Sequence, residues 1–176
     1  IYDTQCQVLA LYEQWMSGHA DWEEARKRMG EAIEGLFDRL IFDNRDATDS
    51  PMLLLTTQQV REEFYRLEKQ FNIQFNGNCI YALSHYLVHR SRSTPSRLSQ
   101  ERIRSLDDFL AQKYPLLYRF CQAIITALAQ KLDIEPQRID ALLLVLWLHQ
   151  SGAVSQPHVT RAVILAHGLS LIHISE

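Results

Sequence analysis

Of the side chains able to take part in chemistry, the histidines stand out. The chain holds seven, and His85 and His89 lie four residues apart, on one face of any helix that carries them. An imidazole that is neutral near pH 7 is a nucleophile, a general base or a metal ligand, and as a nucleophile it accepts a phosphoryl group from a phosphohistidine donor. The metal option is poorly served here, because the segment reads His-Tyr-Leu-Val-His and lacks the glutamate of the H-E-x-x-H zinc sites. The plain alternative for His85 is a core histidine bonded to a neighbour, and for His89 a surface or packing residue. His149 closes an apolar stretch, where the negative end of a helix dipole favours a cation. His167 precedes a glycine after a short apolar run, and His19 and His158 sit in turn-like surroundings.

Basic side chains gather just after the His85 pair, as Arg90, Arg92, Arg97, Arg102 and Arg104. No aromatic residues interleave them and the net charge is -3, so a nucleic-acid surface is disfavoured and a solvated face is the default. Arg90 or Arg92 is also placed to steady a phosphoryl group on His85 or to meet an acidic patch on a partner. The cysteines Cys6, Cys79 and Cys121 are odd in number and far apart. That spacing argues against a disulfide framework or a thiolate metal site, and it fits a reducing cytoplasm. No G-x-x-x-x-G-K-[ST] phosphate loop occurs.

The elements that must hold these residues are helical. The chain has 176 residues, 47% hydrophobic and 22% charged, enough for one full domain with appended pieces. Apolar residues recur at three- and four-residue steps over Tyr2 to Met16 and Asp21 to Phe42. Asp43 to Pro51 collects turn-forming side chains and predicts a linker, with a boundary near 51. Thr57 is then the expected cap of a helix with Val60, Phe64, Leu67 and Phe71 on its core face. A helix from Asn78 to about Arg90 carries His85 and is broken by the exposed Ser91 to Ser99 segment. Three more helices run over Gln100 to Lys113, Pro115 to Leu132 and Pro136 to Gln150, the last two opened by proline. No apolar run reaches the roughly 20 residues of a membrane span. One strand is expected, Arg161 to Gly168, and with no partner here it reads as the first strand of a truncated α/β domain. The expected fold is therefore an all-α helical bundle with that single C-terminal strand.

Three segments in order carry a family resemblance. The first runs from Asn72-Ile73-Gln74-Phe75 through Ile80-Tyr81-Ala82-Leu83-Ser84-His85-Tyr86-Leu87, followed by Arg90; the second is Tyr114-Pro115-Leu116-Leu117-Tyr118; the third is the Ile134-Glu135-Pro136 turn into an apolar closing helix. Together they resemble a PTS regulation domain, the helical module through which the sugar phosphotransferase system controls bacterial transcriptional regulators. The similarity covers Phe71 to Gln150, somewhat under half of the chain. It implies phosphorylation at His85. If Asp140 stands for the family's acidic residue, the second histidine position falls on Trp147, which leaves His149 as the remaining candidate. Val163-Ile164-Leu165-Ala166-His167-Gly168 is similar to the first strand of a mannose-type enzyme IIA domain, whose phosphoryl acceptor would be His167.

That order of modules resembles a levanase-operon-type, sigma-54-dependent activator, whose AAA+ ATPase and DNA-binding domains would precede Ile1. The resulting division is residues 1–50 as N-terminal helices or a linker, 51–152 as the regulation domain and 153–168 as the linker and first enzyme-IIA-like strand. Residues 169–176 resemble the translation of a sequencing adapter. The resemblance implies a cytoplasmic, homo-oligomeric regulator of sugar-utilisation genes with no catalytic turnover, cofactor or metal. Its partners would be the phosphocarrier protein HPr or a sugar-specific enzyme IIB, with DNA reached only through the missing domains and no membrane contact. Modification would add about -1.5 to -2 charges and shift the balance between two packed states. Two further readings stand beside it: a structural helical dimerisation module, and the same domain in an RNA-binding antiterminator, which the enzyme-IIA-like strand disfavours. A metal-dependent helical enzyme using His85 and His89 is a third class.

Overall fold

The computed structural model describes residues 1–43, 50–95 and 97–151, and among them the chain is all-α. Seven helices follow one another: α1 (Tyr2–Met16), α2 (Trp22–Asp43), α3 (Pro51–Phe71), α4 (Asn78–Arg92), α5 (Gln100–Lys113), α6 (Pro115–Leu132) and α7 (Arg138–Ser151). The expected strand Arg161 to Gly168, with His158 and His167, lies outside the described residues. None of these helices is long and apolar enough to cross a membrane.

The periodicities explain which face each helix buries. In α2 the buried residues Ala25, Met29, Ile33, Leu36, Phe37 and Leu40 recur at steps of three and four, one stripe on an otherwise charged helix. In α3 the stripe Val60, Phe64 and Leu67 is buried as expected, while Phe71 lies at its edge. Helix α7 differs, because Ile139 through Leu148 are buried without a break. It is the central helix, flanked by α2, α5 and α6, while α4 lies between α2 and α3 and α1 covers α2 and α5.

One hydrophobic core runs through all seven helices, so α1 and α2 join the body formed by the helices after Pro51. Phe37 of α2 shows this directly, with its ring 4.5 Å from Trp147 of α7 and 5.9 Å from Tyr86 of α4. At the other end Tyr12, Trp15, Trp22 and Phe109 join α1, α2 and α5 as an aromatic cluster. Helices α2 and α7 approach closely at Gly30, where a Cβ would stand 2.3 Å from the Gln150 Cγ.

Helix ends follow local chemistry. Helix α3 begins at Pro51, ahead of the start expected at Thr57, because proline at the first position is preorganised for a helix and nothing in Met52-Leu53-Leu54-Leu55 interrupts it. Thr57 lies inside the helix and its hydroxyl donates to the Leu53 carbonyl at 2.7 Å, the back-bond that a threonine makes when it is no longer a cap. Asn72 and Asp133 close α3 and α6 in the left-handed region, at φ 56° and 54°, which these short polar residues tolerate. Helix α7 starts at Arg138, two residues past Pro136, and the Asp140 carboxylate accepts the Gln137 N–H at 3.0 Å.

Candidate functional site

Helix α4 is the element that holds His85. Its core face extends almost around the helix, since every residue from Ala82 to Val88 is buried. His85 is 1% exposed. Burial holds its imidazole below the usual histidine pKa, because a desolvated ring resists becoming a cation. The ring is therefore neutral near pH 7, the nucleophilic state. Tyr81, one turn earlier, sets its ring edge-on to His85 with centroids 4.5 Å apart. His89, one turn later, is exposed.

Arg90 has a different environment from the open, phosphate-ready position that a last-turn arginine suggests. It is 5% exposed, and its Nε and Nη2 donate to the two oxygens of Asp140 at 3.0 Å each. Nη2 also donates to the Glu135 carbonyl at 2.7 Å. Tyr86 donates its hydroxyl to the same Asp140 carboxylate, and the Gln5 side chain is hydrogen-bonded to Tyr86. Burial and the Asp140 charge push the Tyr86 phenol well above its ordinary pKa, so it remains a donor at any physiological pH. This network ties α1, α4 and α7 across the core. Arg92, in contrast, is exposed at the end of α4.

The remaining candidates have surroundings of their own. His149, half-buried in the last turn of α7, packs its ring 4.2 Å from that of Tyr114, whose hydroxyl accepts from the Trp22 Nε1 at 3.1 Å. Burial, helped by the charge of Arg26, lowers its pKa. His85 and His149 thus share no ring neighbour. Arg102 pairs with Glu13 at 2.7 Å, and Arg97 borders a cleft of about 510 Å³ with His89 and Thr94. His19 is exposed. Among the described residues no three His, Cys, Asp or Glu side chains cluster as metal ligands do.

A second cleft, about 320 Å³, opens between α2, α4 and α7. Phe37, Tyr81, Ala82 and Trp147 form its apolar walls and Glu34 and Asp38 its acidic rim. Cys79 also borders it, but burial and the nearby Glu68 carboxylate push its thiol up to about 12, so it is not a thiolate nucleophile. Tyr81 therefore touches both His85 and the open space of this cleft. Trp147, the position at which the resemblance places a second histidine, forms the facing wall.

Tyr81 and Tyr86 stand in the motif segment without a role that their types or spacing reveal, and Gln5 belongs to no motif. One signal was present for the network: Asp140 is the lone charge in the apolar run Ile139 to Leu148, and a carboxylate there requires a buried partner. Nothing local marked Tyr81, because its contact with His85 and the cleft arises from packing. Comparison with protein family models, with curated proteins and with solved structures finds no match for this chain.

Proposed function

We propose that this chain is the regulatory module of a bacterial transcriptional activator of sugar-utilisation genes, switched by phosphorylation of His85 through the phosphotransferase system. The observation that carries this reading is a neutral, buried imidazole at the motif position, on a helix packed between two others. In the transfer, a His85 ring nitrogen attacks the phosphorus of a donor phosphohistidine. The new N–P bond forms as the donor's N–P bond breaks, and the proton lost from the acceptor ring is matched by one taken up at the freed nitrogen of the donor ring. The product carries about -1.5 to -2 charges. Such a group at a position 1% exposed is heavily penalised by desolvation, so α4 and its neighbours must repack around the modified ring. Modification thereby becomes a choice between two packed states, as a switch requires. The donor is the phosphocarrier protein HPr or a sugar-specific enzyme IIB.

His149 and His167 are secondary candidates, His149 half-buried against Tyr114 and His167 outside the described residues, proposed only from its resemblance to the enzyme IIA segment. Arg92 is the exposed arginine nearest in sequence for contact with a phosphoryl group, since Arg90 is committed to Asp140. A structural dimerisation module is the second reading, favoured by the exposed Met52, Leu54 and Leu55 at the start of α3.

The test is direct. The chain is incubated with phosphoenolpyruvate, enzyme I and the phosphocarrier, with and without enzyme IIB, and acid-labile phosphate is mapped in wild type and His85→Ala. Label that vanishes with His85→Ala is the expected outcome. No label with either donor, or full labelling of His85→Ala, removes this function and leaves dimerisation as the reading to test.

A further inference from the structure

We propose that Tyr81 is a gate: its ring screens His85 from the cleft between α2, α4 and α7, and swinging it outward admits an electrophile from that cleft to the imidazole. At 1% exposure His85 reacts with nothing in solution unless something moves. The groups beside it on α4 towards the cleft are those one turn earlier, Tyr81 and Ala82, and both line the cleft. Ala82 contributes only a methyl group on a buried stretch of helix. Tyr81 supplies the bulk of the screen, with its ring edge-on to His85 at 4.5 Å.

Tyr81 is also the member of the pair that is free to move. It is 41% exposed although its ring abuts a buried side chain, and among the described residues its hydroxyl has no hydrogen-bond partner, so the aromatic packing positions it. Side chains of this exposure change rotamer within nanoseconds, without disturbing the backbone. The facing wall has no such freedom, since Trp147 is 7% exposed and wedged against Phe37. An acceptor that is covered by one mobile ring is protected from adventitious modification yet reachable without unfolding α4.

The nature of the physiological electrophile rests on the phosphorylation reading above, but the gate itself is measurable without it. Diethylpyrocarbonate transfers an ethoxycarbonyl group to a neutral imidazole nitrogen, releasing ethyl carbonate, which takes up the ring's proton. The rate of this modification at His85 is read by peptide mass spectrometry at pH 7 on the full chain, with exposed His19 as the internal standard. Tyr81→Ala is expected to speed His85 modification by about ten-fold or more, since removing the cover removes the opening step. Tyr81→Phe, which keeps the ring, stays close to wild type. Protection of Cys121, 0% exposed in the core, against a thiol reagent shows that the variant remains folded. If Tyr81→Ala loses that protection, Tyr81→Leu is read by the same criterion. Equal His85 rates in wild type and the folded, ring-less variant overturn the gate while leaving phosphorylation untouched. A gate without any phosphoryl transfer has the opposite meaning, removing the proposed function alone.

Discussion

Asp140 is the residue on which most of the interior polarity converges. Its carboxylate accepts from Tyr86, from Arg90 twice and from the Gln137 N–H, with Arg90 and Asp140 both about 4% exposed in their side chains. Removing one partner of such a pair leaves an uncompensated charge in the core. Asp140→Asn is therefore expected to destabilise the fold by about 3–5 kcal/mol, read as a shift of the urea midpoint. Replacing the pair together, as Arg90→Met with Asp140→Leu, is not expected to restore wild-type stability, because Tyr86 and the Gln137 N–H would lose their acceptor. Protonation is a second matter at this scale. His85 and His149 both have pKa values depressed by burial, so the unfolded chain binds more protons than the native one below the ordinary histidine pKa of about 6.5. Their contribution is complete above that value and is lost as pH falls through the lower native values. Midpoints measured between pH 7.5 and 5 should fall with pH, and His149→Gln should flatten the decline.

At the level of elements, the α2–α7 crossing is set by a missing side chain. Gly30 lets the helices close to the point where a Cβ would meet Gln150 Cβ and Cγ at 2.5 and 2.3 Å, and Arg26 donates to the Gln150 Oε1 at 2.8 Å beside it. In an exposed helix Gly→Ala adds up to about 1 kcal/mol of stability. Here the overpacking term of about 1–3 kcal/mol opposes it, since the Gln150 Cβ belongs to the helix and cannot swing aside. Gly30→Ala is expected to lower the melting temperature, and an increase would place the crossing elsewhere. Helices α3 and α6 are joined differently, by the buried Glu63 carboxylate with Lys131 at 2.6 Å. Burial opposes its ionisation, yet the ion pairs with Lys131 and Arg66 outweigh it and hold its pKa below the ordinary value.

For the whole molecule, the shared core means that α1 and α2 are part of the folding unit. Met29 and Ile33 are fully buried and Phe37 nearly so, and each contributes about 1.5–3 kcal/mol of burial, against a total stability of about 5–15 kcal/mol for a domain. A fragment spanning 50–151 would expose the faces of Tyr86 and Trp147 that Phe37 covers. It is expected to keep helical far-ultraviolet dichroism while losing its near-ultraviolet signal and binding a hydrophobic dye. A sharp, cooperative melt of that fragment would show that the helices after Pro51 fold alone.

Helices are legible in a sequence because their periodicity is local. The ends of α1, α5 and α6 coincide with the expected ones, and α2, α4 and α7 differ by only one or two residues, since apolar spacing and proline act within a turn or two. The start of α3 is the exception: Thr57 and Pro51 both offer a start signal, and only the continuous helix through Met52 to Leu55 decides between them. The chemistry of His85 as a potential nucleophile, the solitary charge of Asp140 and the all-α character all belong to the sequence. What tertiary structure alone decided is which groups meet. Arg90 turned from an open phosphate contact into the buried partner of Asp140, fifty residues away, and Tyr81 became the cover of His85 at the edge of a cleft. Those outcomes depend on how seven helices fill one interior, because burial and desolvation are properties of the packed whole and no short window of residues contains them.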